Sequence, residues 1–175
     1  MMEWNEWPGK SNVPPSGEEH PAILHMIDVA SVAEVLIDSC SFSVPLKNAL
    51  IILTGLHDLG KISESFRDML RKGIPQPGFR HWQLSEALCY SMDDVLAAYL
   101  NGRPRVRQQL YAAVAGHHGC PPDHAFGGLP LDSRLPPDLR GALRYVGDGK
   151  NVARQVIEIF CECWPDASLD GLSLL

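Results

Sequence analysis

The chain has 175 residues, and 45% of them are hydrophobic, which suffices for one compact core but not for several independent domains. No stretch approaches the roughly 20 uninterrupted apolar residues that cross a bilayer, and the opening MMEWNEWPGK lacks the basic start and the apolar run of a signal peptide. We therefore expect a cytoplasmic protein with no membrane contact. The 15 basic and 21 acidic residues give a formal net charge of -6, which argues against a protein that coats DNA.

The first half of the chain predicts an irregular lead-in and then three helices. Residues 1–21 carry several prolines and glycines and predict the lead-in. From Ala22, the segment AILHMIDVASVAEVLIDS places apolar residues at steps of three and four, which is typical of a helix that buries one broad stripe. The segment LKNALIILTGLHD is apolar on nearly every face and predicts a central helix that ends at Gly60. Residues 61–72 predict a third, more amphipathic helix.

The second half predicts four more helices and a long loop. The fourth helix begins near Trp82 and runs through QLSEALCYSMDDVLAAYL to Asn101 and Gly102. The fifth is VRQQLYAAVAGHHG, and it is followed by the loop CPPDHAFGGLPLDSRLPPD, which is long enough to cover a site. Residues 138–146 and 148–164 are the last two helical candidates. We find no convincing strand, so the sequence predicts an all-α fold.

Histidines supply the main chemical signal. A lone histidine in an apolar helix is more often a core residue than a ligand, but here HDLGK and GHHG close two hydrophobic helices. Burying such rings without partners is costly, and a shared metal ion removes that cost. Five of the seven histidines are predicted at helix ends or in loops: His25, His57, His81, His117 and His118.

A carboxylate beside these histidines adds a second signal. Asp58 follows His57 directly, and its two oxygens can bridge two cations about 3.5–4 Å apart, the arrangement used for phosphoester displacement. Imidazole is a borderline ligand, so this donor set favours Mn, Fe, Co, Ni or Zn over Mg. The sequence therefore predicts one or two divalent transition-metal ions.

The order of these motifs resembles a known family. H(x2)D, HDLGK, HWxxSE and AxxxHHGxP, with WPGKS upstream, resemble the HD nuclease domain of the type I CRISPR helicase-nucleases over about two thirds of the chain. The resemblance implies an HD-domain helical bundle around a one- or two-metal site, spanning residues 22–175. It implies cleavage of single-stranded DNA in CRISPR antiviral defence. The implied partners are a helicase domain, fused or separate, and the RNA-guided surveillance complex, and we expect a monomer.

The resemblance also implies a role for each site residue. His25 and His57 correspond to ligands of one metal, and a second group corresponds to ligands of the other: His81, His117 and His118. Asp58 corresponds to the bridge between the two metals and, with Lys61, to the catalytic pair. Lys61 corresponds to a positive charge beside the scissile phosphate, with a solvated surface lysine as the alternative.

Several further positions are candidates for supporting roles, and most of them also have a structural interpretation. Ser85 and Glu86, one turn beyond His81, are candidates for supporting that ring, but Ser85 is equally a small residue in a helix contact. Asp28 is either a partner for an imidazole N–H or an exposed carboxylate. His124, in the proline-rich loop, is either a substrate contact or a solvated side chain. Trp4, Trp7 and Trp82 offer surfaces on which bases can stack, although core packing explains Trp82 equally well.

One departure from the family pattern affects the first metal. The family places a last metal-ligating aspartate in a later helix, usually before a tryptophan, and no Asp-Trp pair follows Gly119 here. Asp166 and Asp170 do not fit that pattern well. We therefore expect either a chain that is cut before its last helices, with weak or no binding of the first metal, or a degenerate site.

Two other functions remain open at this stage. One is a nucleotide or cyclic-dinucleotide phosphohydrolase of the same superfamily, although the GYP element of cyclic-dinucleotide enzymes is missing. The other is a catalytically silent HD module that docks on a helicase or a CRISPR complex.

Overall fold

A computed structural model describes residues 6–10, 19–119 and 137–172. These ranges contain eight α-helices and no strand, apart from one isolated antiparallel bridge between Pro8 and Pro21, so the all-α prediction is confirmed. The helices are α1 Ala22–Asp38, α2 Val44–Gly55, α3 Glu64–Lys72, α4 His81–Ser91, α5 Asp93–Leu100, α6 Pro104–Ala115, α7 Pro137–Leu143 and α8 Gly149–Cys163. Two 3-10 helices contain the histidine motifs: the HD turn (Leu56–Lys61) follows α2, and the HH turn (Gly116–His118) follows α6.

Most helices begin close to their predicted positions, but the predicted boundary between the second and third helices was wrong. The second was predicted to run to Gly60, whereas α2 ends at Gly55 and passes into the HD turn. The third was predicted from Lys61, whereas α3 begins at Glu64 because Ser63 caps it, its Oγ accepting the backbone N–H of Phe66 at 3.3 Å. The chain therefore turns away from helical geometry where His57 and Asp58 occur.

The predicted fourth helix is two helices. It breaks at Met92, whose φ of -118° and ψ of 22° are not helical, and α5 starts at Asp93. Asp93 is buried and is bonded to Arg107 and Tyr111 of α6. The local sequence has no helix breaker here, so a tertiary contact has overridden helix propensity.

The core lies around α2 and α4. In α2, as predicted for a central helix, buried residues occupy more than one face, and in α4 all seven residues from Leu84 to Tyr90 are buried. Trp7 is 5% exposed and packs in this core with the Arg67 guanidinium 4.4 Å from its ring centroid. The interpretation of Trp7 as a base-stacking surface is therefore wrong.

Some predictions fall outside the described residues. Trp4 lies there, as does the predicted loop from Cys120 onward, except for its last two residues, which begin α7. Among the described residues, no helix is long and apolar enough to span a membrane.

The HD turn lies unusually close to α4 because Gly60 has no side chain. A Cβ at Gly60 would overlap the carbonyl oxygen of His81 and lie 2.6 Å from the backbone nitrogen of Ser85. The Gly60 N–H donates to Ser85 Oγ at 2.8 Å, and this hydroxyl donates to the His81 carbonyl at 3.1 Å. Ser85 therefore joins the turn that carries Asp58 to the first residue of α4.

Gly60→Ala should push α4 away from the HD turn. We expect the free energy of unfolding to fall by about 1–3 kcal/mol, the usual cost of overpacking, and metal affinity to fall with it. Urea denaturation followed by circular dichroism measures the first effect. Gly141→Ala in α7 is the matched control, because a Cβ there meets none of the described residues within 4 Å. Equal stability of the two variants would contradict the proposed close contact.

Candidate metal centre

Four separate elements bring imidazole rings to Asp58. The Oδ2 atom of Asp58 lies 3.1 Å from Nε2 of His25, on α1, and 3.1 Å from Nε2 of His57, in the HD turn. The Oδ1 atom lies 3.4 Å from Nε2 of His81, on α4, and 3.5 Å from Nε2 of His117, in the HH turn. The two oxygens of one buried carboxylate therefore face two different sets of rings.

The side chains form two groups of potential metal-binding atoms. One group contains His25, His57 and Asp58, and within each group the ligand atoms all lie within 4.8 Å of one another. His118 completes the other group, because its Nε2 lies only 3.0 Å from Nε2 of His81. That second group contains His81, His117 and His118. The histidines that are distant in sequence thus converge on one centre.

Helix ends orient two of the rings. His57 Nδ1–H donates to the carbonyl oxygen of Thr54, and His117 Nδ1–H donates to that of Val114, both at 3.0 Å. Each acceptor lies in the last turn of a helix, where carbonyl groups lack helical partners. These hydrogen bonds fix the orientation of each ring and place the proton on Nδ1, so that the Nε2 atom faces Asp58. Metal-binding histidines are commonly oriented by hydrogen bonds of this kind.

Burial keeps most of the rings neutral. It lowers the pKa of His81 to about 4, and it also lowers the pKa values of His25 and His118 below their ordinary value. His117 is the exception, because the adjacent Asp58 carboxylate raises its pKa against the effect of burial. Neutral imidazoles are the form that coordinates metal ions.

Asp58 is ionised despite its burial. Burial by itself would raise the pKa of Asp58, but the neighbouring His117 and His57 rings and the Lys61 ammonium hold this pKa well below its usual range. Its Oδ1 atom is buried and has no hydrogen-bond partner among the residues that the structure describes, which is costly for a charged oxygen. The donor set of five imidazoles and one carboxylate therefore fits divalent cations.

Lys61 is part of this centre. Its Nζ lies 2.7 Å from Asp58 Oδ2 and donates to the Gly9 carbonyl oxygen at 2.8 Å, and its side chain is 14% exposed. The alternative of a solvated surface lysine is therefore wrong. The contact with Gly9 was missed, although WPGKS was recognised as a motif, because no local pattern pairs residues this far apart.

Comparisons with known proteins agree with this arrangement. The profile of the family described as "Cas3, HD domain" matches residues 7–168. The chain belongs to the Cas3 HD-domain family. A crystal structure of a CRISPR-associated protein matches with a TM-score of 0.64 at 22% identity, covering 98% of this chain and 20% of that one. The chain thus spans about a fifth of that protein's length, and no curated protein matches it significantly.

Membership of the Cas3 HD family confirms the resemblance read from HDLGK, HWxxSE and GHHG. The family is one of CRISPR-associated, metal-dependent phosphohydrolases. The similarity to the crystal structure shows the helical fold.

Two predicted supporting residues of this Cas3-type HD domain differ in their contacts. Ser85 bonds the backbone of the HD turn and of His81, as described above. Asp28 does hold an imidazole, but it is that of His20 at 3.4 Å, and its side chain is 71% exposed. His124 lies outside the described residues.

An apolar cavity borders the Cas3-type centre between α2 and α6. Its volume is about 270 Å³, and no acidic or basic side chain is among its described lining residues apart from two histidines of the centre. The lining is Leu50, Leu53, Thr54, His57, Leu110, Ala113, Val114 and His117. A larger cavity of about 940 Å³ lies elsewhere, beside Tyr99 and Ala167, and none of the histidines described as lining the centre contributes to it.

Glu86 is buried on α4, and no hydrogen bond or ion pair joins it to the centre among the described residues. It is 1% exposed, and its Oε2 atom has no hydrogen-bond partner in the described ranges. Burial raises the pKa of Glu86 from its ordinary 4.5 to about 7. Because the folded protein then binds this proton more tightly than the unfolded chain, stability due to Glu86 is greatest at low pH and falls as pH rises through this interval.

Glu86→Gln should remove that pH dependence. We expect the variant to gain about 1–3 kcal/mol in free energy of unfolding over the parent at pH 8 and little at pH 5, since the amide never ionises. Urea denaturation at the two pH values measures the difference. Glu34→Gln, at an exposed position of α1, is the control. If Glu86→Gln and the parent lose equal stability between pH 5 and 8, Glu86 is not held protonated.

Proposed function

We propose that this chain is a metal-dependent nuclease domain that hydrolyses the phosphodiester bonds of single-stranded DNA in type I CRISPR interference. The observation that carries the proposal is the position of Asp58, a buried carboxylate whose two oxygens face two separate groups of imidazoles. A bridging carboxylate between two ligand groups is typical of sites that catalyse in-line displacement at phosphorus. Membership of the Cas3 HD family supports the same chemistry.

Each side chain then has a role. His25 and His57 would hold one ion, and the two oxygens of Asp58 face opposite sides of the centre. The ligands of the other ion are His81, His117 and His118. Divalent ions bound there supply positive charge and Lewis acidity to the phosphodiester. Because the donors are mostly imidazole, we expect Mn, Ni, Co, Fe or Zn to bind better than Mg.

Protein charge contributes as well. The Lys61 ammonium is held beside Asp58 and is directed into the centre, where it stabilises negative charge on the scissile phosphate. Lys61 and the bound cations also explain how a chain of net charge -6 attracts a polyanion, because local charge dominates at short range. Ser85 positions both halves of the centre through backbone hydrogen bonds. His124 remains a predicted substrate contact.

The proposed partners follow from the family. We infer that the domain acts in the cytoplasm as a monomer, with a helicase domain, fused or separate, and with the RNA-guided surveillance complex. The division into a lead-in of residues 1–21 and an HD domain of residues 22–175 also stays a prediction.

A substrate comparison tests the proposal. The protein is incubated with Mn²⁺ and, in parallel, with labelled single-stranded DNA, deoxynucleoside triphosphates and cyclic dinucleotides. We expect DNA fragmentation that EDTA stops. Hydrolysis of the nucleotides without DNA cleavage would assign the chain to the nucleotide phosphohydrolases instead. Absence of bound metal, with no activity in Mn²⁺ or Ni²⁺, would favour a silent docking module.

A further inference from the structure

The two oxygens of Asp58 have very different surroundings. Oδ2 is in contact with a full positive charge, because Lys61 Nζ lies 2.7 Å away, and the rings of His25 and His57 both approach it to 3.1 Å. In the described part of the chain, the rings nearest to Oδ1 are those of His81 at 3.4 Å and His117 at 3.5 Å, and Oδ1 has no hydrogen-bond partner there. One side of the carboxylate is therefore already neutralised by the protein, and the other is not.

The position of Lys61 is held from both sides. Its ammonium donates to the Gly9 carbonyl oxygen at 2.8 Å. Two backbone hydrogen bonds fix the segment that carries this carbonyl: Gly9 N–H donates to the His20 carbonyl at 2.8 Å, and Ala22 N–H donates to the Trp7 carbonyl at 2.7 Å. With 14% of its side chain exposed, Lys61 has little freedom to leave Asp58 for solvent.

The two groups also differ in the number of neutral donors. Within the part of the chain that the structure describes, the Oδ1 side has three imidazoles, and their Nε2 atoms include a pair only 3.0 Å apart. The Oδ2 side has two imidazoles and the fixed ammonium. A cation on the Oδ2 side must share its carboxylate oxygen with Lys61 and is repelled by it, whereas a cation on the Oδ1 side meets an oxygen that lacks a partner.

We propose that the two sides bind divalent cations unequally. The first ion binds to Oδ1 of Asp58 with His81, His117 and His118, and Lys61 lowers the affinity of the His25–His57 side for a second ion. This inference rests on the proposed metal dependence. It assigns to Lys61 a second role, that of a built-in cation on the Oδ2 side of Asp58.

Titration of metal-free protein with Mn²⁺, followed by the electron paramagnetic resonance signal of free Mn²⁺, tests the inference. We expect one tight equivalent and a second at least about tenfold weaker, the factor that corresponds to 1.4 kcal/mol. His118→Ala should remove the tight step, whereas His25→Ala should keep it. Lys61→Met should strengthen the second step, and Lys150→Met, at an exposed position of α8, should change neither.

The outcomes separate this inference from the proposed function. Any of three results would overturn the inference without contradicting a two-metal nuclease. They are two equivalents of equal affinity, loss of the tight step in His25→Ala, and an unchanged second step in folded Lys61→Met. No binding of Mn²⁺ at all would overturn both. If Lys61→Met does not fold, anomalous scattering from crystals with one equivalent of Mn²⁺ decides: the inference requires a single peak between His81 and His118, and a peak beside His25 refutes it.

Discussion

Asp58→Asn is expected to lower metal-dependent cleavage of single-stranded DNA by a factor of about 10³ or more. The amide keeps the shape of the side chain but loses the negative charge that both imidazole groups share. It also loses one of the two carboxylate oxygens that face the imidazole groups. Because apolar contacts among the helices make up the core, the helical content of the variant should be unchanged.

The matched control for this variant is Asp28→Asn. Asp28 lies one turn beyond His25 on α1, but its side chain is 71% exposed. Among the described residues it pairs only with the exposed His20. We expect parental cleavage rates. Rates are measured with a fluorescently labelled oligonucleotide in Mn²⁺, and circular dichroism verifies the fold. Cleavage by Asp58→Asn at the parental rate would show that another site performs the reaction.

Arg107→Ala is expected to lower the free energy of unfolding by about 3–5 kcal/mol. Arg107 donates to both carboxylate oxygens of Asp93 at 2.8 Å and to the carbonyl oxygens of Asn101 and Gly102 at 3.1 and 2.8 Å. Its removal leaves Asp93, which is 8% exposed, with only the Tyr111 hydroxyl as a partner in this network. A buried carboxylate that loses its counter-ion accounts for most of the expected cost.

A surface arginine provides the comparison. Arg154 is paired with Asp94 at 3.5 Å and Glu158 at 3.3 Å, and 47% of its side chain is exposed. Arg154→Ala should therefore cost less than about 1 kcal/mol, as exposed ion pairs usually do. Urea denaturation of the two variants under the same conditions measures both values. Coincident transitions would mean that the Arg107 network contributes no more than a surface pair.

Local patterns predicted the helices well where the decisive interactions lie close in sequence. The apolar periodicity from Ala22 predicted the start of α1, and the hydrophobic segment before HDLGK predicted a central helix. The break at Met92 was not predictable in this way, because the partners of Asp93 are on α6, 14 and 18 residues further along the chain. Helix propensity is a weak preference that such contacts override.

The donor atoms of the centre were predictable from the sequence alone. Transition-metal sites need imidazole and carboxylate donors, and HDLGK and GHHG supply His57, Asp58, His117 and His118 whatever the positions of these residues in space. Tertiary structure alone decided how they are divided: which imidazoles face each oxygen of Asp58, that Lys61 occupies one side of it, and that the carbonyl of Gly9 keeps Lys61 there. These arrangements depend on distances of a few ångströms between residues far apart in the chain, and packing of the whole core sets those distances.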